Sequence, residues 1–245
     1  YECTSMKYLL SITIIALTTV SFAQNSSMYQ KPPKEILDLV DVERAPSVLM
    51  NDDKSQMVLL YRNSYKSIEE LSKEEMRLGG LRIDPKTNIG SRVTYTNNVK
   101  LKKLNQKEAK IVQVKGLPEN PKLTNFKWSP DQSKIALTNT TSDGVELWVL
   151  DIESASVSKI TGAYLNSNIG NVIHWFEDGA SLLVKMISKN RKPLINTKTT
   201  VPIGPTISVN DGKKAQNRTY QDLLKNKNDE HNFEQLAMSE IYKVS

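Results

Sequence analysis

The sequence contains a single cysteine, Cys3, among its 245 residues. A disulfide-stapled scaffold is therefore excluded, because such a scaffold needs pairs of cysteines. Long hydrophobic runs are also scarce: only residues 8–20 resemble a membrane segment, and the mean hydropathy is -0.44. A polytopic membrane protein is excluded on that ground. With 38% hydrophobic and 24% charged residues, the chain has the composition of a globular protein.

Residues that carry hydrolytic or metal chemistry are few. The two histidines, His174 and His231, do not have the spacing of a metal site, and the sequence contains neither a phosphate-binding loop nor G-x-G-x-x-G. Gly179-Ala180-Ser181 begins like the hydrolase elbow G-x-S-x-G, but Leu183 stands where the second glycine is needed. We therefore assign no catalytic residue, no metal ligand and no cofactor, and the substrate-binding residues stay unknown. His174 adjoins Trp175 in a predicted buried strand and is expected to be a core histidine, whereas His231 is expected to be exposed.

The net charge is +6, which favours solubility and a mild attraction to anions. The densest basic cluster has no interleaved aromatic residues, so nucleic-acid binding is not expected; it comprises Lys100, Lys102, Lys103, Lys107 and Lys110. The surplus of positive charge is compatible with acidic substrates, but a solvated surface is the preferred explanation.

The first residues read as a targeting signal. Met6 is the expected start, Lys7 gives a positive charge, residues 8–20 are mostly apolar, and Ser21-Phe22-Ala23 supplies the small residues of a cleavage site. A membrane anchor is the alternative, but 13 residues span only about 20 Å as a helix, against about 30 Å of hydrocarbon. We predict that 1–5 lie upstream of the start and that 6–23 form a signal peptide. The domain 24–245 is then periplasmic or extracellular, with no stable membrane insertion after cleavage.

The segment from Leu123 to Thr161 predicts four short antiparallel strands separated by turns. Its third strand alternates Leu147 and Val149 with Trp148 and Leu150, so both of its faces are apolar and both should be buried. Turn residues at Ser142-Asp143-Gly144 separate the second strand from the third. The four predicted strands are 123–128, 134–138, 146–151 and 156–160.

This unit recurs along the chain. Trp128 to Leu137 aligns without gaps to Trp175 to Val184 at an offset of 47 residues, and a weaker copy runs from Met50 to Leu59. Units of four strands with a period of 40 to 50 residues are typical of a β-propeller. We expect the aromatic residue before each turn to fill the space between adjacent sheets and the turn aspartate to accept backbone N–H groups. The predicted fold class is all-β, a partial propeller of about three to four four-stranded blades; a β-sandwich is the alternative.

A different segment separates the first two copies. Ser67 and Glu70 have the spacing of a capping box, and a modest apolar stripe continues to Gly79-Gly80, so Ser67 to Leu78 is predicted as a short inserted helix. Further along, a basic loop is predicted at 189–193, a turn at 210–214, a single helical turn at 220–225 and a strand from Ser239. Because the pattern stops in mid-repeat at Ser245, we expect a truncated fragment and an incomplete propeller.

Two sets of residues resemble a known family. Trp128-Ser129-Pro130-Asp131 through Leu147 to Asp151 resembles the blade repeat of the prolyl oligopeptidase family and of TolB-like periplasmic proteins. The segments Ser67 to Leu71 and Leu78-Gly79-Gly80-Leu81-Arg82-Ile83-Asp84-Pro85 resemble, more specifically, the propeller start of the glutamyl endopeptidase-like branch, and the tail 216–224 is similar to it as well.

The resemblance implies a function. Proteins of that family join an N-terminal propeller to a C-terminal α/β-hydrolase domain that carries a Ser-Asp-His triad, and the propeller restricts entry to peptides. No residue of this chain matches the triad, so none can be carried over. The first hypothesis is the propeller part of an exported serine peptidase, whose peptide substrate is cut by a catalytic domain outside this chain. The second is a TolB-like periplasmic propeller that binds a protein partner without catalysis.

Overall fold

The computed structural model describes residues 31–105, 108, 110–196, 199, 200, 207, 209, 211, 212 and 220–245. The predicted signal peptide, most of the turn predicted at 210–214 and residues 216–219 of the tail lie outside the described residues. The described residues fall into two compact units, one ending at Val42 and the other beginning at Glu43. Within the described residues, no helix is long and apolar enough to cross a membrane.

The first unit contains helix α1 (Lys34–Val40), which follows Pro33 at its N-cap. Proline suits the start of a helix, because its fixed φ is compatible with the first turn and its missing N–H would have no partner there. The ammonium of Lys34 pairs with Asp38 one turn later, at 2.6 Å. No residue of α1 is fully buried.

The second unit consists mainly of four antiparallel sheets. The first sheet has the order β1-β2-β6-β7, with β1 (Ser47–Met50), β2 (Gln56–Tyr61), β6 (Asn98–Lys103) and β7 (Val112–Gln113). The second has the order β11-β10-β9-β8, with β8 (Leu123–Trp128), β9 (Lys134–Thr140), β10 (Val145–Asp151) and β11 (Ser156–Lys159).

The other two sheets have three strands each. The third sheet runs β12-β13-β14, with β12 (Ile173–Trp175), β13 (Leu182–Ile187) and β14 (Ser239–Val244). The small sheet runs β3-β4-β5, with β3 (Met76–Leu78), β4 (Leu81–Asp84) and β5 (Ile89–Gly90). The predicted all-β class is thus confirmed at the level of mostly antiparallel sheets with few helices, and each of the three sequence repeats falls in a separate sheet.

The second sheet is covered on both faces. On one face Leu150 is buried in a cluster that includes Val58 and Val99 of the first sheet. On the other face Leu147 is buried in a cluster that includes Ile173 and Val184 of the third sheet. The prediction that β10 is buried on both sides is confirmed. The four predicted strands of this unit are also found, with β9 extended by two residues to Thr140 and β10 beginning at Val145.

The repeated turns are held by their aspartates, as predicted. The carboxylate of Asp178 accepts the backbone N–H groups of Ala180 and Ser181, both at 2.9 Å. Asp131 accepts the N–H of Ser133 at 3.3 Å and also the hydroxyl groups of Ser129 and Ser133, and these hydrogen bonds lower its pKa to about 2. Each turn therefore closes its hairpin through local side-chain bonds rather than through the core.

The aromatic residue before the third turn links two sheets. The indole Nε1 of Trp175 donates to the carbonyl of Lys127 at 2.9 Å, which joins β12 to the edge strand β8 of the second sheet. This contact confirms the expected position of that aromatic residue between adjacent sheets.

The inserted helix is much shorter than predicted. Helix α2 (Ile68–Ser72) has the predicted capping box, in which Ser67 Oγ accepts the Glu70 N–H and the Glu70 carboxylate accepts the Ser67 N–H. The helix ends at Ser72, and the predicted last turn is instead strand β3. Leu78 is the buried residue of this strand, whereas Ile68 at the start of the helix is 85% exposed. Gly79 and Gly80 both have positive φ and form the two-residue turn between β3 and β4, not a helix stop.

Two further expectations are wrong, and a third holds only in part. His174 lies on the exposed face of β12, because its neighbour Ile173 takes the buried position and side chains alternate along a strand. Residues 220–225 form no helical turn, with bends only at 221 and 222, and the helix in this region, α3 (Lys227–Ala237), begins later behind the N-cap Asn226. His231 is only partly exposed, and its Nε2 lies 3.1 Å from the Pro193 carbonyl.

Two insertions meet in a small core of their own. One interrupts the first sheet between β2 and β6, and the other interrupts the third sheet between β13 and β14. Their buried residues are Leu78 and Ile83 from the first insertion and Leu236 from the second. Phe233 of α3 packs so closely on Gly79 that a Cβ there would lie 3.0 Å from its ring. Elements from the first and third sheets are therefore joined outside the main cores.

Substituting Leu165→Ala tests the packing between the second and third sheets. Leu165 is fully buried, and its backbone forms bridges to both Val145 and Met186. Because the substitution leaves a cavity between two sheets, we expect the free energy of unfolding to fall by about 2–5 kcal/mol in urea titrations. Ile160→Ala is the matched control, since Ile160 is 40% exposed and should change stability by under about 1 kcal/mol. Equal effects of the two substitutions would contradict this packing.

Candidate functional site

A cleft of the second unit lies at one end of the first two sheets. It has a volume of about 780 Å³ and is formed by the loops that follow β2 and β9 and by the segments that precede β6 and β8. Its walls include residues 62–67, 93–95, 119–122 and 139–142. We call it the strand-end cleft. A cleft of this size is in the range that accommodates a small organic ligand.

The strand-end cleft contains more basic than acidic side chains, five against three. Lys122 lies 3.9 Å from Glu69, and the Glu70 carboxylate is engaged in the capping box of α2. The surplus of positive charge makes the cleft attractive to anions. The basic residues are Arg44, Arg62, Lys66, Lys73 and Lys122, and the acidic residues are Glu69, Glu70 and Glu119.

A buried polar network fixes the floor of this cleft. Asn139 is 4% exposed; its Oδ1 accepts the Lys122 N–H at 3.0 Å and its Nδ2 donates to Glu146 at 3.1 Å. Glu146 also accepts from Trp148 Nε1 at 2.8 Å and pairs with Lys159. Burial raises the pKa of Glu146, but its hydrogen bonds outweigh burial and hold the pKa below its ordinary value. The position of Asn139 is thus set from both sides.

The backbone also joins the two sheets at the cleft. Thr96 and Leu123 exchange two N–H···O bonds of 2.9 Å, which links the segment before β6 to the first residue of β8. Asn97 in the same segment donates through Nδ2 to Asn63 at 2.6 Å. Because both walls are tied together in this way, the cleft is a built feature of the fold rather than a gap between loose loops.

Thr140 in the wall of the cleft is only 3% exposed. Burial raises the pKa of Tyr95, and a side-chain interaction with Thr140 opposes that rise, so the Thr140 hydroxyl has Tyr95 as its neighbour. Both residues line the strand-end cleft.

A second charged cluster surrounds Glu75, next to the small sheet. Its carboxylate accepts from Ser91 Oγ at 2.6 Å and pairs with Arg77 at 2.8 Å, with Arg92 at 3.3 Å and with Arg82 at 3.4 Å. The hydrogen bond from Ser91 lowers the pKa of Glu75 from 4.5 to about 2. Partial burial opposes this shift, and Arg77 and Arg92 reinforce it. The cluster ties the start of β3 to β4 and to the segment after β5.

No residue of either cluster was assigned from the sequence. The cleft residues come from separate stretches of the chain between Arg44 and Ser142, and only those in the segment that begins at Ser67 stand in a motif recognised from the sequence. The only local signal was the Ser67 and Glu70 capping box, which marks a helix start and not a ligand site. Among the described residues, no three His, Cys, Asp or Glu side chains are grouped as a metal site. His174 and His231 are not brought together, since they lie in β12 and α3.

The known proteins to which this chain is similar include several peptidases. No protein-family model matches it. Among solved structures, the chain is similar to Pyrococcus horikoshii acylaminoacyl peptidase, at 14% identity and a TM-score of 0.36 over 67% of this chain and 20% of that one. A putative TolB from Agrobacterium tumefaciens gives 13% identity and a TM-score of 0.26 over 61% of this chain and 56% of that one.

The curated relatives are more specific. The chain is 30% identical over 232 residues to the probable chloroplastic glutamyl endopeptidase of Oryza sativa subsp. japonica, and 28% identical over 233 residues to that of Arabidopsis thaliana. Each alignment covers 89% of this chain but only 24% or 23% of the relative. The resemblance to the glutamyl endopeptidase-like branch is thereby confirmed, and the chain spans about a quarter of the length of the curated relatives it matches.

Replacement of Glu75 should have a pH-dependent effect on stability. Because the folded-state pKa lies below the ordinary value, the carboxylate stabilises the fold above about pH 4.5, and this contribution is lost as the pH falls towards 2. We expect Glu75→Gln to lower the free energy of unfolding by about 2 kcal/mol at pH 7, with the difference from the wild type shrinking below pH 4.5.

The measurement is a series of urea titrations between pH 7 and pH 3. Glu177→Gln serves as the control, because Glu177 is exposed and no ion pair is found for it among the described residues. If the free energy of unfolding of Glu75→Gln stays below that of the wild type by the same amount at every pH, the proposed charge interaction is contradicted.

Proposed function

We propose that this chain is the N-terminal β-propeller part of an exported serine peptidase and that it restricts the access of peptides to a separate α/β-hydrolase domain. The observation that carries the proposal is the 30% identity to a glutamyl endopeptidase over 89% of this chain. The matching region is the part of the chain in which the repeats and the inserted segment occur.

The packing of the sheets supports a propeller. The second sheet buries one face against the first sheet and the other against the third, and it is itself an antiparallel unit of four strands. In a propeller every blade is covered by its neighbours in this way, because no blade can bury both faces alone. We propose that the three repeats are three successive blades, with the small sheet and α3 as insertions.

We assign catalysis to the other domain and control of access to this chain. The chain has no G-x-S-x-G, and its two histidines lie in different elements, so the nucleophile and its base would come from the other domain. The contribution of this chain would be steric, since a ring of sheets admits an extended peptide but not a folded protein. The apolar stretch at 8–20 and the small residues at 21–23 support export to the periplasm or the extracellular space.

The test uses the complete protein that contains this chain. Its hydrolysis of a short chromogenic peptide is compared with that of the same peptide sequence placed in a folded carrier protein. We expect the short peptide to be cut and the folded carrier to be spared, while the chain 24–245 alone cuts neither. Hydrolysis of both substrates at equal rates, or turnover by the chain alone, would refute the gating role. A complete protein without any peptidase activity would favour the partner-binding, TolB-like alternative.

A substitution at the contact between two sheets tests the gate directly. Trp175→Ala removes the hydrogen bond to Lys127 and the aromatic contact between β12 and β8. We expect the ratio of carrier to short-peptide hydrolysis to rise at least about threefold in this variant, because adjacent sheets can then separate more readily. Phe176→Ala is the matched control, since Phe176 is the neighbouring aromatic residue and is 37% exposed. A rise of the same size in the control would show that the ratio does not report on the contact between the sheets.

A further inference from the structure

We propose that residues 84–90 of the first insertion act as a clasp that holds the second and third sheets together, and that these two sheets separate only after the clasp is released. We call the boundary between the two sheets, which is filled by the cluster around Leu147 and Ile173, the seam. The proposal concerns the opening of the fold and does not assume peptidase activity.

The first step is that the first insertion completes a core between two sheets other than its own. Ile89 in β5 is 2% exposed and is buried in the seam, together with Leu147 of the second sheet and Val184 of the third. Val93 and Tyr95, further along the same insertion, pack against this cluster as well. The first insertion is therefore part of the seam and not only an outgrowth of the first sheet.

The second step is that the backbone of the clasp is bonded to the chain that crosses the seam. Residues 160–172 lead from β11 of the second sheet to β12 of the third. Within this segment, the Ser167 N–H donates to the Asn88 carbonyl at 2.9 Å, and Ser167 forms a parallel bridge with Ile89. The Oγ of Ser167 in turn accepts from Asn125 Nδ2 of β8 at 3.3 Å. The clasp is thus connected to the second sheet through Ser167.

The third step is a side-chain bond to the second insertion, which begins directly after β13 of the third sheet. Arg191 of that insertion donates to Asn88 Oδ1. Burial lowers the pKa of Arg191, as expected for a guanidinium group that lies partly inside the protein. Asn88 therefore bonds the crossing segment through its backbone and the second insertion through its side chain.

The turn that presents Asn88 is held by its own aspartate. Asp84 is 7% exposed, and its carboxylate accepts the N–H groups of Lys86 at 3.0 Å and Thr87 at 3.2 Å. The Asp84 carbonyl accepts the Asn88 N–H at 2.9 Å. Asn88 has a φ of 57°, a left-handed conformation that asparagine adopts more readily than most residues. The clasp therefore presents Asn88 and Ile89 from a defined turn.

The order of opening follows from the number of contacts. Release of the clasp breaks a few hydrogen bonds and uncovers one buried isoleucine, whereas separation of the sheets exposes the whole cluster between them. Parts of a fold with fewer buried contacts open at lower free energy, so release of the clasp precedes separation of the sheets.

The experiment is hydrogen–deuterium exchange, read by mass spectrometry, on the complete protein that contains this chain. Two amides report on the seam: the Leu165 N–H donates to the Val145 carbonyl of the second sheet, and the Asn166 N–H donates to the Lys185 carbonyl of the third. We expect Asn88→Gly to speed exchange in peptides that contain these amides at least about threefold. Glycine keeps the positive φ accessible and removes the acceptor of the side-chain bond.

A second substitution tests whether that one bond is responsible. Arg191→Met removes the donor and keeps much of the apolar stem, and it should speed exchange at the seam to a similar extent. If both residues act through their mutual bond, the double variant exchanges no faster than the faster single variant. Effects that multiply in the double variant, or no change in any of the three, would overturn the proposal.

Ile89→Ala tests the apolar contact against a matched control. Ile135 is 0% exposed and lies in the cluster between the first and second sheets, so Ile135→Ala leaves a similar cavity at the other boundary. We expect Ile89→Ala to speed exchange at Leu165 and Asn166 at least about tenfold more than at Val114, a member of that other cluster, and Ile135→Ala to do the reverse.

Equal effects of the two alanine variants at both boundaries would indicate only a general loss of stability and would overturn the proposal. Exchange is measured without a substrate. A complete protein that lacks peptidase activity would therefore contradict the proposed function and not the clasp.

Discussion

The structure depends on the burial of both faces of the second sheet. Leu147 and Leu150 project from opposite faces of β10, and each is at most 1% exposed. Full burial of a leucine side chain contributes about 1.5–3 kcal/mol, so neither face can be left open to water. The first and third sheets are therefore required for the second to be stable, and the repeats are coupled through shared cores rather than merely joined in sequence.

This constraint also decides where polar side chains can act. The clusters between the sheets are made of apolar side chains, whereas the residues of the strand-end cleft are mostly polar or charged. At the ends of the strands the loops after β2 and β9 form the strand-end cleft, and the insertions after β2 and β13 form the small core around Leu78 and Leu236. The cleft is held by hydrogen bonds such as those of Asn139. A hydrogen bond requires particular positions of its donor and acceptor, whereas apolar packing does not.

Much of the sheet structure could be predicted from the sequence, because it follows from local patterns. Alternation of apolar residues gave β8 to β11 nearly to the residue, and the turn aspartates were recognised by their spacing. The end of α2 was not predictable in the same way, because Met76 and Leu78 fit both a helical stripe and an alternating strand. His174 was placed on the wrong face because its neighbours on both sides are apolar, and only the packing of Ile173 decides between them.

Helix α3 and the cleft could not be predicted because their contacts are polar and join residues that are distant in the sequence. The buried face of α3 includes Asn232 and Gln235, whose amide groups bond the backbone of Ile195 and of Lys192. Hydropathy cannot identify such a face, because its residues are polar and their partners lie about 40 positions away. The cleft poses the same problem over a longer distance, since Arg62 and Thr140 are 78 positions apart.

Side-chain hydrogen bonds hold the ends of the strands, whereas apolar packing holds the cores. Arg191 from the second insertion bonds Asn88 from the first, and Asn166 bonds the carbonyl groups of Leu236 and Met238 at 2.9 Å. The Arg191 bond connects the two insertions, and the Asn166 bonds connect the segment before β12 to the end of α3. Regions with few apolar contacts open at lower free energy than the core, so we expect the small core to open before the two clusters between the sheets.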